Sequence, residues 1–371
     1  MPGYDAGTPS FSTGASVPGD WSRYAGGVLA LNGKIVFVPF VVGDVGVFDP
    51  ATGYFYVVAT SSHFATTYKF SGGVLAPSGK IVFVPSGADS VGVFDPATDA
   101  FYIVDISATI SIDGKYHGGV LLPSGKIVFV PANANNVGIF DPATDAFSVV
   151  DITGLVGGGD VNGKYVGGVL APSGKVVFVP YGADGVGLFD PATGAFSVVD
   201  ISAGISTGAR PYKYLGGVLA PNGKVYFVPD AARGVGVFDP ATNVFYLVDI
   251  SYIFASDSVN DAYTAGVLSR NGKIVFVPRD ANNVGIFDPS TDVFSTFDIT
   301  GRVLCTSRDD PSTGAKYWGG VVASDGKIVF VPNWTDKVAV FDPGNAAPAY
   351  TVSGGVPDAW RALLSPHFNK Y

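Results

Sequence analysis

The chain has 371 residues, with 50 Gly and 26 Pro, 13% aromatic and only 14% charged residues. That composition excludes a disordered polypeptide, which is charged and poor in aromatics. All 31 acidic residues are Asp, with neither Glu nor Gln in the sequence. The loss of two strong helix formers disfavours helices and excludes chemistry that needs a glutamate. The net charge of −9 argues against a general binder of nucleic acid or anionic membranes.

From the N-terminus, residues 1–23 form an extension with no basic stretch followed by an apolar run, so they do not read as a signal peptide. Residues 24–354 are then built on one unit. A turn Gly-Lys recurs at Lys34, Lys80, Lys126, Lys175, Lys224, Lys273 and Lys327, every 46 to 54 residues. Around it runs aromatic-x-Gly-Gly-Val-Leu, the turn, Gly-Lys-Ile-Val-Phe-Val-Pro, a variable loop, Val-Gly-Val-Phe-Asp-Pro, a second turn and Phe-x-x-Val-Asp-Ile.

Each unit predicts four strands, A to D. Strand A holds the Gly-Gly, and strands B and C are unbroken apolar runs, which implies cover on both faces. Strand D runs, for example, from Phe101 to Ile106. The A–B turn uses Gly for positive φ, and the C–D turn opens on Asp-Pro, as in type I turns. Repeats of this length with four antiparallel strands predict an all-β fold, a seven-bladed β-propeller. A solenoid is disfavoured because neither terminal unit has a polar capping face. In the last blade Ala349–Val352 is the expected strand D, and Pro9–Thr13 is placed to pair there and close the ring. Residues 355–371 are expected to be a tail packed on the propeller. Apolar runs are short and broken, so no membrane span is expected. Cys305 stands alone and allows no internal disulfide.

The segment Pro221–Thr242, with its Gly-Lys-Val-Tyr-Phe-Val-Pro and Gly-Val-Gly-Val-Phe-Asp-Pro runs, resembles blades of the NHL/YVTN and virginiamycin B lyase-like propellers. In its four-strand layout it is also similar to kelch-like repeats. The resemblance implies the propeller architecture. Lyase-type members use His and Glu with a divalent metal on the central face. This chain has no Glu and only His63, His117 and His367, so no catalytic residue carries over.

Strand order separates two faces. The tight A–B and C–D turns lie on one, the bottom, where Lys and Asp repeat in every unit. The B–C and D–A connections lie on the top. There the residue after the strand B Pro is Phe40, Ser86, Ala132, Tyr181, Asp230, Arg279 or Asn333. The residue before Gly-Gly is equally diverse: Ala25, Ser71, His117, Val166, Leu215, Thr264 or Trp318. Such diversity on a repeated scaffold means either drift or adaptation to an asymmetric ligand. Just before it stand Arg23, Lys69, Lys115, Lys164, Lys213 and Lys316, with Ala262 in blade 6. These cations either pair with loop carboxylates such as Asp89, Asp184 and Asp336 or form an anion-attracting funnel.

Other chemistry is sparse. Gly73–Gly79 fails the phosphate-loop spacing, and no Gly-x-Ser-x-Gly elbow or zinc spacing occurs. Asp160-Val-Asn162-Gly163 begins like a calcium loop but lacks the distal acid. Asn333-Trp334-Thr335 is a glycosylation sequon expected on an exposed loop.

The leading expectation is a non-enzymatic binding module whose top face meets a protein partner or an anionic or carbohydrate ligand, with no cofactor. Its site would draw on the six cations, His117, Tyr181, Asp230, Arg279, Trp318 and Trp334. The alternatives are a metal-dependent lyase or hydrolase using Asp and His117, and a structural subunit of an assembly. Compartment and oligomeric state are left open by the sequence.

Overall fold

The structure, a computed structural model, describes residues 8–18, 23–60, 67–156, 162–205, 212–253, 261–303 and 315–344. Among them are seven four-stranded antiparallel sheets. In blade 1, strands A to D are Tyr24–Leu29, Ile35–Pro39, Val45–Asp49 and Tyr54–Val58. The A strands of blades 2 to 7 are Phe70–Leu75, Tyr116–Leu121, Tyr165–Leu170, Tyr214–Leu219, Tyr263–Leu268 and Tyr317–Val322. Each packs beside the next and the last beside the first, so the blades form a closed seven-bladed β-propeller.

The position outside strand C of blade 7 (Lys337–Asp342) is taken by Ser10–Ser16, which pairs antiparallel with it, Ser10 opposite Asp342. The expected strand at Ala349–Val352 and the tail at 355–371 lie outside the described residues, as do Cys305, His63, His367 and Asp160.

Burial follows the pleat. Strand B is buried along its whole length, whereas strand D alternates between exposed and partly buried residues. One aromatic column repeats through the blades. In blade 1, Phe37 lies 5.5 Å from Tyr24, 6.3 Å from Phe48 and 5.9 Å from Phe55. The Gly of Val-Gly-Val-Phe makes room for it: a Cβ on Gly46 would stand 2.8 Å from the Tyr24 ring.

The two glycines of strand A have separate causes. The first takes positive φ, as at Gly26 (91°), where strand A holds one extra residue against strand B. The second is where neighbouring blades nearly touch. A Cβ on Gly73 would lie 2.9 Å from Val28 and 3.0 Å from Val38 of blade 1. The C–D turns close as their sequence predicts, with the Asp95 carboxylate accepting the Ala97 N–H at 2.9 Å and Asp190 that of Ala192 at 2.9 Å.

The strand A tyrosines are buried at their hydroxyl ends, and their partners differ. Tyr116 donates to Asn136 and Tyr263 to Asn283. Blades 4 and 5 carry Gly185 and Gly234 at that strand C position, and the buried hydroxyls of Tyr165 and Tyr214 have no partner among the described residues. Blade 2 has Phe70 there, opposite Ser90. A buried hydroxyl without a partner costs roughly 1–3 kcal/mol. Tyr165→Phe and Tyr214→Phe are therefore expected to be neutral or stabilising by up to about 1 kcal/mol. Tyr116→Phe and Tyr263→Phe strand an asparagine oxygen and should destabilise by about 1–2 kcal/mol in urea unfolding.

Burial also raises the pKa of Tyr116, Tyr165, Tyr214 and Tyr263, and of Tyr24 with help from Asp44, above the usual 10.0. The unfolded chain releases these protons first. The stabilisation is therefore complete below pH 10 and falls above it, by roughly 1.4 kcal/mol per pH unit for each tyrosine. Alkaline titration should show tyrosinate absorbance appearing together with loss of β-sheet circular dichroism, not ahead of it.

Candidate functional site at the top mouth

The six cations before strand A do not line an open funnel. Arg23, Lys69, Lys115, Lys164, Lys213 and Lys316 are all buried, and each reaches the B–C loop of the preceding blade. Lys69 Nζ donates to the Val41 carbonyl (2.9 Å) and Lys164 to that of Asn133 (3.1 Å). Lys316 donates to the Asp280 carbonyl at 3.1 Å. Lys115 reaches the carbonyls of Ser86 (3.2 Å) and Ala88 (2.9 Å) and the Asp89 carboxylate (3.1 Å). Lys213 meets Asp184 at 3.4 Å. Arg23 of blade 1 donates to Thr335 of blade 7 at 3.0 Å, which fastens the seam of the ring. Burial lowers the pKa of Lys69, Lys115 and Lys164. Burial also disfavours the Asp89 carboxylate, but hydrogen bonds from Ser111 and Lys115 outweigh it and hold that group below its usual pKa.

Their backbones continue the same link. The Lys69 N–H donates to the Phe40 carbonyl and the Ser86 N–H to the Lys69 carbonyl, both at 2.9 Å, and the pattern repeats at Lys115, Lys164, Lys213 and Lys316. The residue after the strand B Pro is thus fixed by its main chain. Its side chain is left free to vary.

Those side chains converge on Trp318 of blade 7. Phe40 of blade 1 stacks with it at 6.2 Å and 27°. The Arg279 guanidinium of blade 6 sits 5.5 Å from the Trp318 ring and is held at 2.9 Å by Asp261. His117 reaches the indole from blade 3, with ring centres 6.2 Å apart. Blades 3 and 7 lie across the ring from each other, so the indole and the imidazole meet near its axis. Burial lowers the His117 pKa to about 4, against a bond with its own backbone, so this ring is neutral at pH 7.

A second cluster adjoins the first. Tyr181 of blade 4 stacks on Tyr212 at 4.3 Å and 7°. Burial raises the Tyr181 pKa, and the charges of Asp230 and Asp261 add to the shift, so its hydroxyl remains a donor. Asp230 is buried at the blade 5 loop, its N–H on the Lys213 carbonyl at 3.0 Å. Trp334 is partly buried in the blade 7 loop, with its N–H on the Ala315 carbonyl at 3.0 Å.

The expected exposure of the sequon is overturned. Asn333 and Thr335 are both fully buried, and the Asn333 amide donates to the Tyr24 carbonyl at 2.9 Å. An oligosaccharide has no access to that nitrogen. Sequence reasoning missed Tyr68, Tyr212 and Asp261. They share one position, just before the cation or, in blade 6, before Ala262, where Gly114 and Gly163 stand in blades 3 and 4. Among the described residues no three His, Cys, Asp or Glu side chains come together as a metal would require.

Solved structures share this architecture. The streptogramin B lyase structure superposes with a TM-score of 0.68 at 15% identity, covering 91% of this chain and 98% of that one. The fold resembles the virginiamycin B lyase-like propellers. A catalytically inactive virginiamycin B lyase from Staphylococcus aureus, with quinupristin, gives 0.67 at 12% identity, over 90% of this chain and 99% of that one. The extracellular domain described as that of a one-component system from B. thetaiotaomicron gives 0.59 at 12% identity, and the match spans 88% of this chain but 39% of that one. At these identities the likeness concerns fold alone. No protein-family model and no curated protein matches the chain.

The lysines' placement gives a test. Lys115→Met keeps the stem but removes the Nζ donor shared by Ser86, Ala88 and Asp89, and should destabilise by about 2–3 kcal/mol in urea unfolding. An unchanged midpoint would contradict a structural role for this lysine.

Proposed function

We propose that the protein is a binding module and that its ligand enters the top mouth over Trp318. The observation that carries this reading is the convergence of unlike side chains from blades 1, 3 and 6 on the blade 7 indole. A repeat scaffold has no folding need for it, since the blades close with seven different residues at these positions. Rigid β-blades presenting concave, aromatic-lined loops suit recognition. The internal pairing of Arg279 with Asp261 leaves the mouth without a surplus exposed cation from that pair. The buried lysines bind carbonyls, so the reading as an anion funnel loses its basis.

The experiment is a binding screen of the intact chain against glycans, peptides and small molecules, read by intrinsic fluorescence and calorimetry. Trp318→Ala should weaken binding of the selected ligand by at least about tenfold, or 1.4 kcal/mol, while leaving the unfolding midpoint near wild type. Binding that survives Trp318→Ala unchanged would place the site elsewhere.

A further inference from the structure

The position before each cation, or before Ala262 in blade 6, carries a left-handed backbone in four blades: Tyr68 (φ 57°), Gly114 (64°), Gly163 (64°) and Asp261 (71°). Glycine adopts this conformation without strain, and Asp tolerates it. Tyr does so only under strain. Among the described residues, Tyr68 is the one positive-φ residue that is neither Gly, Asp nor Asn. It is also 56% exposed, with its ring 5.1 Å from Phe40, which stacks on Trp318. On the other side Asp261 holds Arg279 against Trp318. The two non-glycine residues at this strained position therefore flank the same indole. Strain kept where sibling blades avoid it points to a use for those side chains.

The chemistry of the group narrows that use. Tyr68 and the partly exposed Trp318 offer aromatic faces. Asp261 and Arg279 are each about one-fifth exposed, at 20% and 22%, so both still face solvent beside the indole. A carboxylate only accepts hydrogen bonds and a guanidinium only donates them. A partner that stacks through an apolar face and carries a rim of groups able to do both is a pyranose. Arg279 is already paired with Asp261 at 2.9 Å, so the pair offers no net positive charge to an acidic sugar.

Resting on the reading of the mouth as a binding site, we propose that it takes a neutral pyranose residue, stacked on the Tyr68 and Trp318 side and hydrogen-bonded by the Asp261–Arg279 pair. The test is calorimetric titration of the intact chain with maltohexaose, xylohexaose and chitotetraose N-acetylated throughout, beside oligogalacturonate as the acidic counterpart. Fluorescence changes are assigned to the mouth by repeating each titration on Trp318→Phe. At least one neutral oligosaccharide should bind more tightly than oligogalacturonate. Tyr68→Gly and Asp261→Gly should weaken that binding at least tenfold while leaving Tm unchanged or higher, because the backbone strain is released. Tyr68→Asn, which tolerates the left-handed backbone, should behave as Tyr68→Gly does. A lower Tm in both Tyr68 variants would make the residue structural and overturn the proposal, as would failure of all neutral probes. Trp318-dependent binding of oligogalacturonate alone would refute the neutral sugar but uphold the mouth. Binding of any probe that is indifferent to Trp318→Phe and Trp318→Ala would refute the mouth itself.

Discussion

Adjacent blades approach until the valines of one, such as Val28 and Val38, occupy the space where Gly73 of the next has no side chain. That approach sets the radius of the ring. It brings the start of each strand A under the B–C loop of its neighbour, where unsatisfied carbonyls would be costly to bury. A long cation at that point answers the need. Lys115 supplies donors to Ser86, Ala88 and Asp89 together. Arg23 does the same for Asn333 and Thr335 across the seam. Dispersion packing of valines and charge-assisted hydrogen bonds act on the same joint, one near the bottom of strand A and the other at its top.

With the radius fixed in this way, the axis is narrow enough for one indole to reach from blade 7 to blade 3. Main-chain bonds hold the loop residues after each strand B Pro, so side chains there vary without loosening the joint. Thr264, at the variable position of strand A, is used differently, its hydroxyl donating to the Tyr317 carbonyl at 3.2 Å between blades 6 and 7. The mouth thus mixes positions that knit blades together with positions that face outward.

The architecture was legible because each constraint leaves a fixed residue type. Asp-Pro at the C–D turn, Gly before Lys at the A–B turn and an unbroken apolar strand B ending Phe-Val-Pro recur in every unit. The repeated cations misled for the same reason. For the top lysines the sequence leaves an anion-funnel reading beside the pairing one. Sequence does not show that a lysine stem is covered by the blade beside it. The bottom lysines also had an unread partner: Lys34 lies 5.0 Å over the Tyr56 ring, and Tyr56 hydrogen-bonds Asp99 of the next blade at 3.3 Å. The Trp318 cluster was half legible. Trp318, His117 and Arg279 stood out as unlike residues, but which of them meet depends on the curvature of the ring. Tyr68 and Asp261 escaped notice because their signal is a missing glycine in an otherwise irregular loop.

The pairing of Ser10–Ser16 with Lys337–Asp342 joins residues more than three hundred positions apart, as in the bond from Lys337 to Ser16. The outer edge of blade 7 is therefore covered by a segment that precedes blade 1 in the chain. Six blades can assemble from local hairpins as they emerge, but the outer strand of the seventh has to come from before the first. Loop closure over such a distance is slow relative to hairpin formation. During synthesis this segment emerges ahead of all seven blades, and its partner strand emerges with the seventh.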